Sequence, residues 1–140
     1  MTTLFPIRST APLASTRVAD AMHEGVIVCE RDEPLSLVAR LMSEHRVDSV
    51  VVGGEAGRLW GIVSDLDLVA AAAVRPLDEQ TAGGTAVTPI VAVSPEDSLQ
   101  QAAELMTAYG VAHLVVVEPE TGRPVGVLST LDLAAALAAA

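Results

Sequence analysis

Apolar and polar positions alternate along this chain in two periods, and the periods recur in the same order. Leu35, Val38, Ala39 and Met42 fall at i, i+3, i+4 and i+7, which places one apolar stripe on a helix. Pro34 suits the first position of that helix, because its missing N–H has no partner there in any case. Val50-Val51-Val52 is a β-branched run closed by Gly53-Gly54, and Leu59 to Val63 reads as the return strand of a hairpin. Ser64 then opens a helix that runs to about Val74 and stops before Pro76. Ahead of these elements, Val26-Ile27-Val28 is a short apolar strand candidate.

The same order follows a second time. Pro89 to Val93 is the short strand, and Ser98 with Gln101 forms a capping box ahead of the stripe Leu99, Ala102, Ala103 and Met106. Leu114 to Val117 and Val125 to Leu128 are strands separated by a turn at Glu118 to Arg123. An Ala-rich helix, Leu131 to Ala140, closes the chain. Direct comparison shows that this is a repeat. Asp97-Ser98-Leu99 through Met106 echoes Glu33-Pro34-Leu35 through Met42. Gly126-Val127-Leu128-Ser129-Thr130-Leu131-Asp132 echoes Gly61-Ile62-Val63-Ser64-Asp65-Leu66-Asp67.

The organisation expected is a loose arm over residues 1–15, a first repeat at 16–75, a Gly- and polar-rich linker at 76–85, and a second repeat at 86–140. Each repeat reads β-α-β-β-α, giving an α+β fold in which the two units pack with pseudo-twofold symmetry. Leu35, Val38, Met42, Val51, Ile62, Leu99, Met106, Val116 and Val127 are the expected core.

Composition narrows the function. The net charge is −10, and the eight basic residues are all Arg, so a nucleic-acid backbone is not an expected partner. One Phe, one Trp and one Tyr leave few rings for stacking bases. No apolar run reaches the length of a membrane span, and the N-terminus lacks the charged and apolar regions of a secretory leader. The single cysteine, Cys29, fits a reducing cytoplasm. His23, His45 and His113 share no metal-ligand spacing with Cys29. No phosphate-binding Gly-rich loop and no nucleophile–base arrangement is legible, and Asp65 and Asp67 lie two apart on a helix, facing different ways. An enzyme is therefore not expected.

The order β-α-β-β-α, closed each time by Gly-hydrophobic-hydrophobic-Ser-x-x-Asp, resembles the CBS domain, and the tandem resembles a CBS pair over residues 16–140. The resemblance implies a regulatory module that catalyses nothing. Such a module binds adenosine-containing ligands, most often AMP, ADP or ATP and less often S-adenosylmethionine or a dinucleotide, and acts on an attached or partner protein. It further implies two related clefts. One joins Met22, Val26 and Ile27 with His113, Ser129, Thr130 and Asp132. The other joins Val87, Ile90 and Val91 with Ser49, Ser64 and Asp67.

In each cleft the Asp would accept the ribose hydroxyls, the short strand would read the adenine edge, and the Ser or Thr at the helix start would meet a phosphate. Asp67 and Asp132 also satisfy a purely local capping pattern with Ser64 and Ser129. His113 stands where the family commonly has a phosphate-contacting Arg. Ser49 in the first repeat brings no charge, and Asp48 beside it repels a phosphate. The Asp132 cleft is the expected phosphate site on that account. A module that has lost ligand binding and serves only protein interaction is the alternative. A homodimer through the Ala-rich helices 65–74 and 131–140 is expected, with an unidentified protein partner as the output.

Overall fold

The computed structural model describes residues 11–139, with the side chains of Ala11 and Pro12 left aside. The chain divides into two compact units. Among the described residues, unit one combines 11–23 with 93–139, and unit two runs from Glu24 to Ala92.

Unit two is built on a three-stranded sheet. Strand β2 (Val28–Glu30) runs parallel to β3 (Ser49–Gly53), which pairs antiparallel with β4 (Leu59–Ser64). Helix α3 (Leu35–His45) connects β2 to β3, and α4 (Asp65–Val74) follows β4. The stripe read from the sequence is the buried face: Leu35, Val38 and Met42 join Cys29, Val50, Val52, Val63 and Ala71 in one apolar cluster. The stretch 76–85, expected as a linker, carries a 3-10 turn at Leu77–Glu79 and a short helix α5 (Ala82–Thr85), and Ala82 is fully buried in that same cluster. Backbone bonds stitch it to the unit: Leu35 N donates to Gln80 O, Ala82 N to Glu33 O, and Gly83 N to Arg31 O.

Unit one repeats this plan. Its sheet has the order β1 (His23–Glu24), β7 (Pro124–Ser129), β6 (His113–Val117), β5 (Ala92–Val93). Helix α6 (Leu99–Tyr109) buries Leu99, Ala102 and Met106, and α7 (Thr130–Ala138) buries Leu133. The segment that stitches this unit is the start of the chain. Leu99 N donates to Thr16 O, and Val18 N, at the start of α2 (Val18–Ala21), donates to Asp97 O. Both hairpins carry a register shift one residue before the turn, at Val52/Gly53 and at Val116/Val117. Each unit therefore consists of the opening segment of one sequence repeat and the body of the other.

Other readings change as well: the strand expected at Pro89 to Val93 is confined to Ala92–Val93. Residues 1–10 of the arm lie outside the described residues, but Ala11–Ser15 forms helix α1, packed against α6 and α7, so that part is not loose. Tertiary packing decides a helix this short, since five residues cannot sustain one alone. The strand expected at Val26-Ile27-Val28 begins only at Val28; Val26 and Ile27 precede the ladder, although Ile27 O already accepts from Val51 N. The last helix begins at Thr130 because Ser129, and not Thr130, is its cap; Ala140 lies outside the described residues. Val127 is half-buried while Leu128 is fully buried, since alternate residues of β7 face opposite sides of the sheet. The other expected core residues are buried.

Candidate functional site

Each body ends in the same device. A strand delivers a serine that caps a helix, and the aspartate three residues on turns back to the cap. In unit two, Asp67 Oδ2 accepts from Ser64 N at 2.8 Å and from Ser64 Oγ at 2.9 Å, while Ser64 Oγ accepts from Asp67 N at 3.3 Å. In unit one, Asp132 Oδ2 accepts from Ser129 N at 2.8 Å and Oγ at 3.0 Å, and Ser129 Oγ accepts from Asp132 N at 3.2 Å. The helix N-terminus favours the carboxylate charge. The local cap and the presentation of a carboxylate thus coexist: one oxygen holds the cap and the other is left over.

The leftover oxygens differ. Asp67 Oδ1 has no hydrogen-bond partner among the described residues. Asp132 Oδ1 lies 2.9 Å from His23 Nε2, within ion-pair distance. The carboxylate side chain is 11% exposed and the imidazole 76% exposed. The position matching His23 in unit two holds Thr88.

The opening segments approach both hairpins closely at a glycine. Ile62 and Val87 exchange backbone bonds of 3.2 and 2.9 Å, and a Cβ on Gly61 would lie 2.6 Å from Val87 O. In unit one a Cβ on Gly126 would lie 2.6 Å from His23 O and 2.8 Å from Met22 Sδ. Only glycine leaves room for this backbone approach. Met22 thereby joins the hairpin that leads to Asp132, and Val87 the hairpin that leads to Asp67.

Unit one holds Met22, His113, Ser129, Thr130 and Asp132 of the expected sites, and unit two holds Val87, Ile90, Val91, Ser49, Ser64 and Asp67. Val26 and Ile27 belong to unit two, with Ile27 packed partly into its core. Ser49 is buried opposite Ser64 in the β3–β4 register, and His113, partly buried, stands opposite Ser129. Both cap hydroxyls already donate to their aspartates, so the exposed Thr130 is the hydroxyl that faces solvent at the unit-one helix start; Asp65 occupies that place in unit two.

A groove of about 460 Å³ in unit one is lined by Thr16, Asp20 and Ala21 on one side and Asp132, Ala135 and Ala136 on the other. Small side chains leave the room, and two carboxylates set its charge. Nearby Arg17 is engaged by Asp20 at 3.4 Å and Glu96 at 3.1 Å, which hold its guanidinium pKa above the ordinary value. His23 and Asp20 carried no local signal in the sequence. His23 follows only from the pairing of Met22 with the second closing motif, one residue further on. Among the described residues no three His, Cys, Asp or Glu side chains cluster to hold a metal, and no helix is long and apolar enough to cross a membrane.

Comparison with known proteins agrees with this architecture. Hypoxic response protein 1 of Mycobacterium tuberculosis is 30% identical over 121 residues, spanning 85% of this chain and 83% of its own. The crystal structure of the CBS-domain containing protein ATU1752 from Agrobacterium tumefaciens superposes with a TM-score of 0.75 at 25% identity, over 96% of this chain and 99% of that one. The CBS domain pair of protein MJ0100, solved with 5′-methylthioadenosine and S-adenosyl-L-methionine, shares the fold at a TM-score of 0.74 and 19% identity, over 89% of this chain and 97% of its own. The family model of the CBS domain matches twice, at residues 18–74 and 85–139, and the chain is a member of the CBS-domain family carrying two such domains.

Proposed function

We propose that this protein is a regulatory module that binds an adenosine-containing ligand, of the AMP, ADP or ATP class, and passes its presence to a partner protein. The observation that carries the reading is the duplicated Ser-x-x-Asp box. Each box fixes a carboxylate at the first turn of a helix with one oxygen committed to the cap and one directed away from it. Two adjacent ribose hydroxyls are donors suited to such a carboxylate. The ligand sites are those built in unit one on Asp132, with Met22, His113, Ser129 and Thr130, and in unit two on Asp67, with Val87, Ile90, Val91, Ser49 and Ser64. A phosphate favours the Asp132 site, where Thr130 stands in place of Asp65. That a structural relative was solved with two adenosine compounds supports the ligand class.

Self-association fits the surface. Leu66, Val69 and Val74 on α4 and Leu131 and Leu137 on α7 are exposed, and we assign these helices to a homodimer contact. The buried lone thiol suits the cytoplasm.

A second reading, a protein-interaction module without a nucleotide, draws on the acidic lining of the unit-one groove and the pairing of Arg17. Thermal unfolding against AMP, ADP, ATP, S-adenosylmethionine, NAD and adenosine separates the two. Saturation at a hundred times Kd adds about 2.7 kcal/mol to stability. A rise in Tm with adenine compounds is the expected result, and no shift with any of them replaces the sensor by the interaction module.

A further inference from the structure

We infer that His23 is a specificity-determining latch on the Asp132 site: its imidazole occupies the one carboxylate oxygen that the capping box leaves over, so a ribose must displace it. This rests on the adenosine reading above. His23 Nε2 lies 2.9 Å from Asp132 Oδ1, so the imidazole ring stands against that oxygen as an ion-pair partner. Asp132 Oδ2 already takes two bonds from Ser129. A ribose diol needs acceptor capacity on the same carboxylate, and His23 holds part of it.

The latch can open without unfolding. The imidazole is three-quarters exposed and hangs from the edge strand β1, so it can rotate into water, while Asp132 is nearly buried and fixed by its cap. Unit two lacks the device: Thr88 stands where His23 stands, and Asp67 Oδ1 meets no partner among the described residues. The two sites are therefore matched in their cap and unequal in the availability of the acceptor.

His23→Thr copies the unit-two residue into unit one and leaves the backbone contact over Gly126 in place. Adenosine is titrated calorimetrically into four variants, with Tm recorded for each: Asp67→Ala and Asp132→Ala, each alone and each combined with His23→Thr. In the Asp67→Ala background, which isolates the Asp132 site, removing the latch raises adenosine affinity about two- to fivefold, the range for one partly exposed ion pair. In the Asp132→Ala background the same change alters affinity less than about twofold, since the partner is gone. Unchanged or weaker binding on His23→Thr in the Asp67→Ala background, with Tm preserved, overturns the latch while leaving the adenosine reading intact. If none of the four variants binds adenosine, and the unaltered protein does not bind it either, the adenosine reading fails and the latch falls with it.

Discussion

Gly61→Ala tests the close approach on which unit two depends. The added Cβ would lie 2.6 Å from Val87 O, 2.8 Å from Thr88 Cγ2 and 2.9 Å from Ala86 Cβ. A carbon reaches a carbonyl oxygen comfortably at about 3.3 Å, so the carbonyl must retreat by about 0.7 Å. The bond from Ile62 N to Val87 O is already 3.2 Å long, and its reciprocal partner, Val87 N to Ile62 O, moves with it. Two backbone bonds at about 0.5–1.5 kcal/mol net each give a loss of about 1–3 kcal/mol. Stiffening of the unfolded chain by Ala returns about 0.4–1 kcal/mol. The expected net destabilisation lies within about 0–2.6 kcal/mol and centres on about 1.3 kcal/mol, a sizeable share of the roughly 5–15 kcal/mol typical of a domain. Urea unfolding followed by circular dichroism measures it as a lower midpoint at unchanged slope. Trp60 fluorescence reports on the same segment, because Trp60 Nε1 donates to Gly83 O at 3.0 Å, with Arg31 over its ring at 4.6 Å. Gly53→Ala is the control: its Cβ meets nothing closer than 3.5 Å and should change stability by less than about 0.5 kcal/mol. A Gly61→Ala protein as stable as the control refutes the steric argument.

Three other outcomes are expected. Arg46 closes α3 in the left-handed conformation at φ 53°, where Gly110 closes α6 at φ 64° with open space around it; Arg46→Gly should stabilise by up to about 1 kcal/mol and Gly110→Ala should destabilise by about 1 kcal/mol, read from urea midpoints. Burial pushes the Cys29 thiol up from 9.0 to about 11, with Glu33 adding to it, so at about pH 8 the folded protein should react with a thiol reagent about a hundredfold more slowly than the unfolded chain. The folded pKa is the raised one, so the stability it contributes is complete below pH 9.0 and is lost as pH climbs from there through about 11, which urea midpoints across that window will show. Leu66→Glu with Leu131→Glu should convert a dimer to a monomer in light scattering at micromolar concentration, and an unchanged mass removes α4 and α7 from the interface.

The sequence determined what depends on near neighbours. Helices α3 and α6 bury the stripes read from the sequence, since apolar residues three and four apart share a face wherever the helix lies. Pro34, expected at the first helical position, is instead the extended cap residue before Leu35. The Ser64–Asp67 and Ser129–Asp132 boxes span three residues, so their geometry needs only the first turn of a helix. The duplication, visible as repeated text, fixed the presence of two such boxes. Tertiary structure decided the rest. Ala11–Ser15 is helical because α6 and α7 receive it, and the polar stretch 76–85 is ordered because Ala82 enters the core of unit two. The strand at Val28–Glu30 starts two residues later than the apolar run suggests, although Ile27 O already accepts from Val51 N of β3. The inequality of the two sites is likewise tertiary. His23 meets Asp132 only because the opening segment crosses Gly126, whose missing side chain admits the backbone. A contact between residues so distant in the chain has no periodicity to announce it.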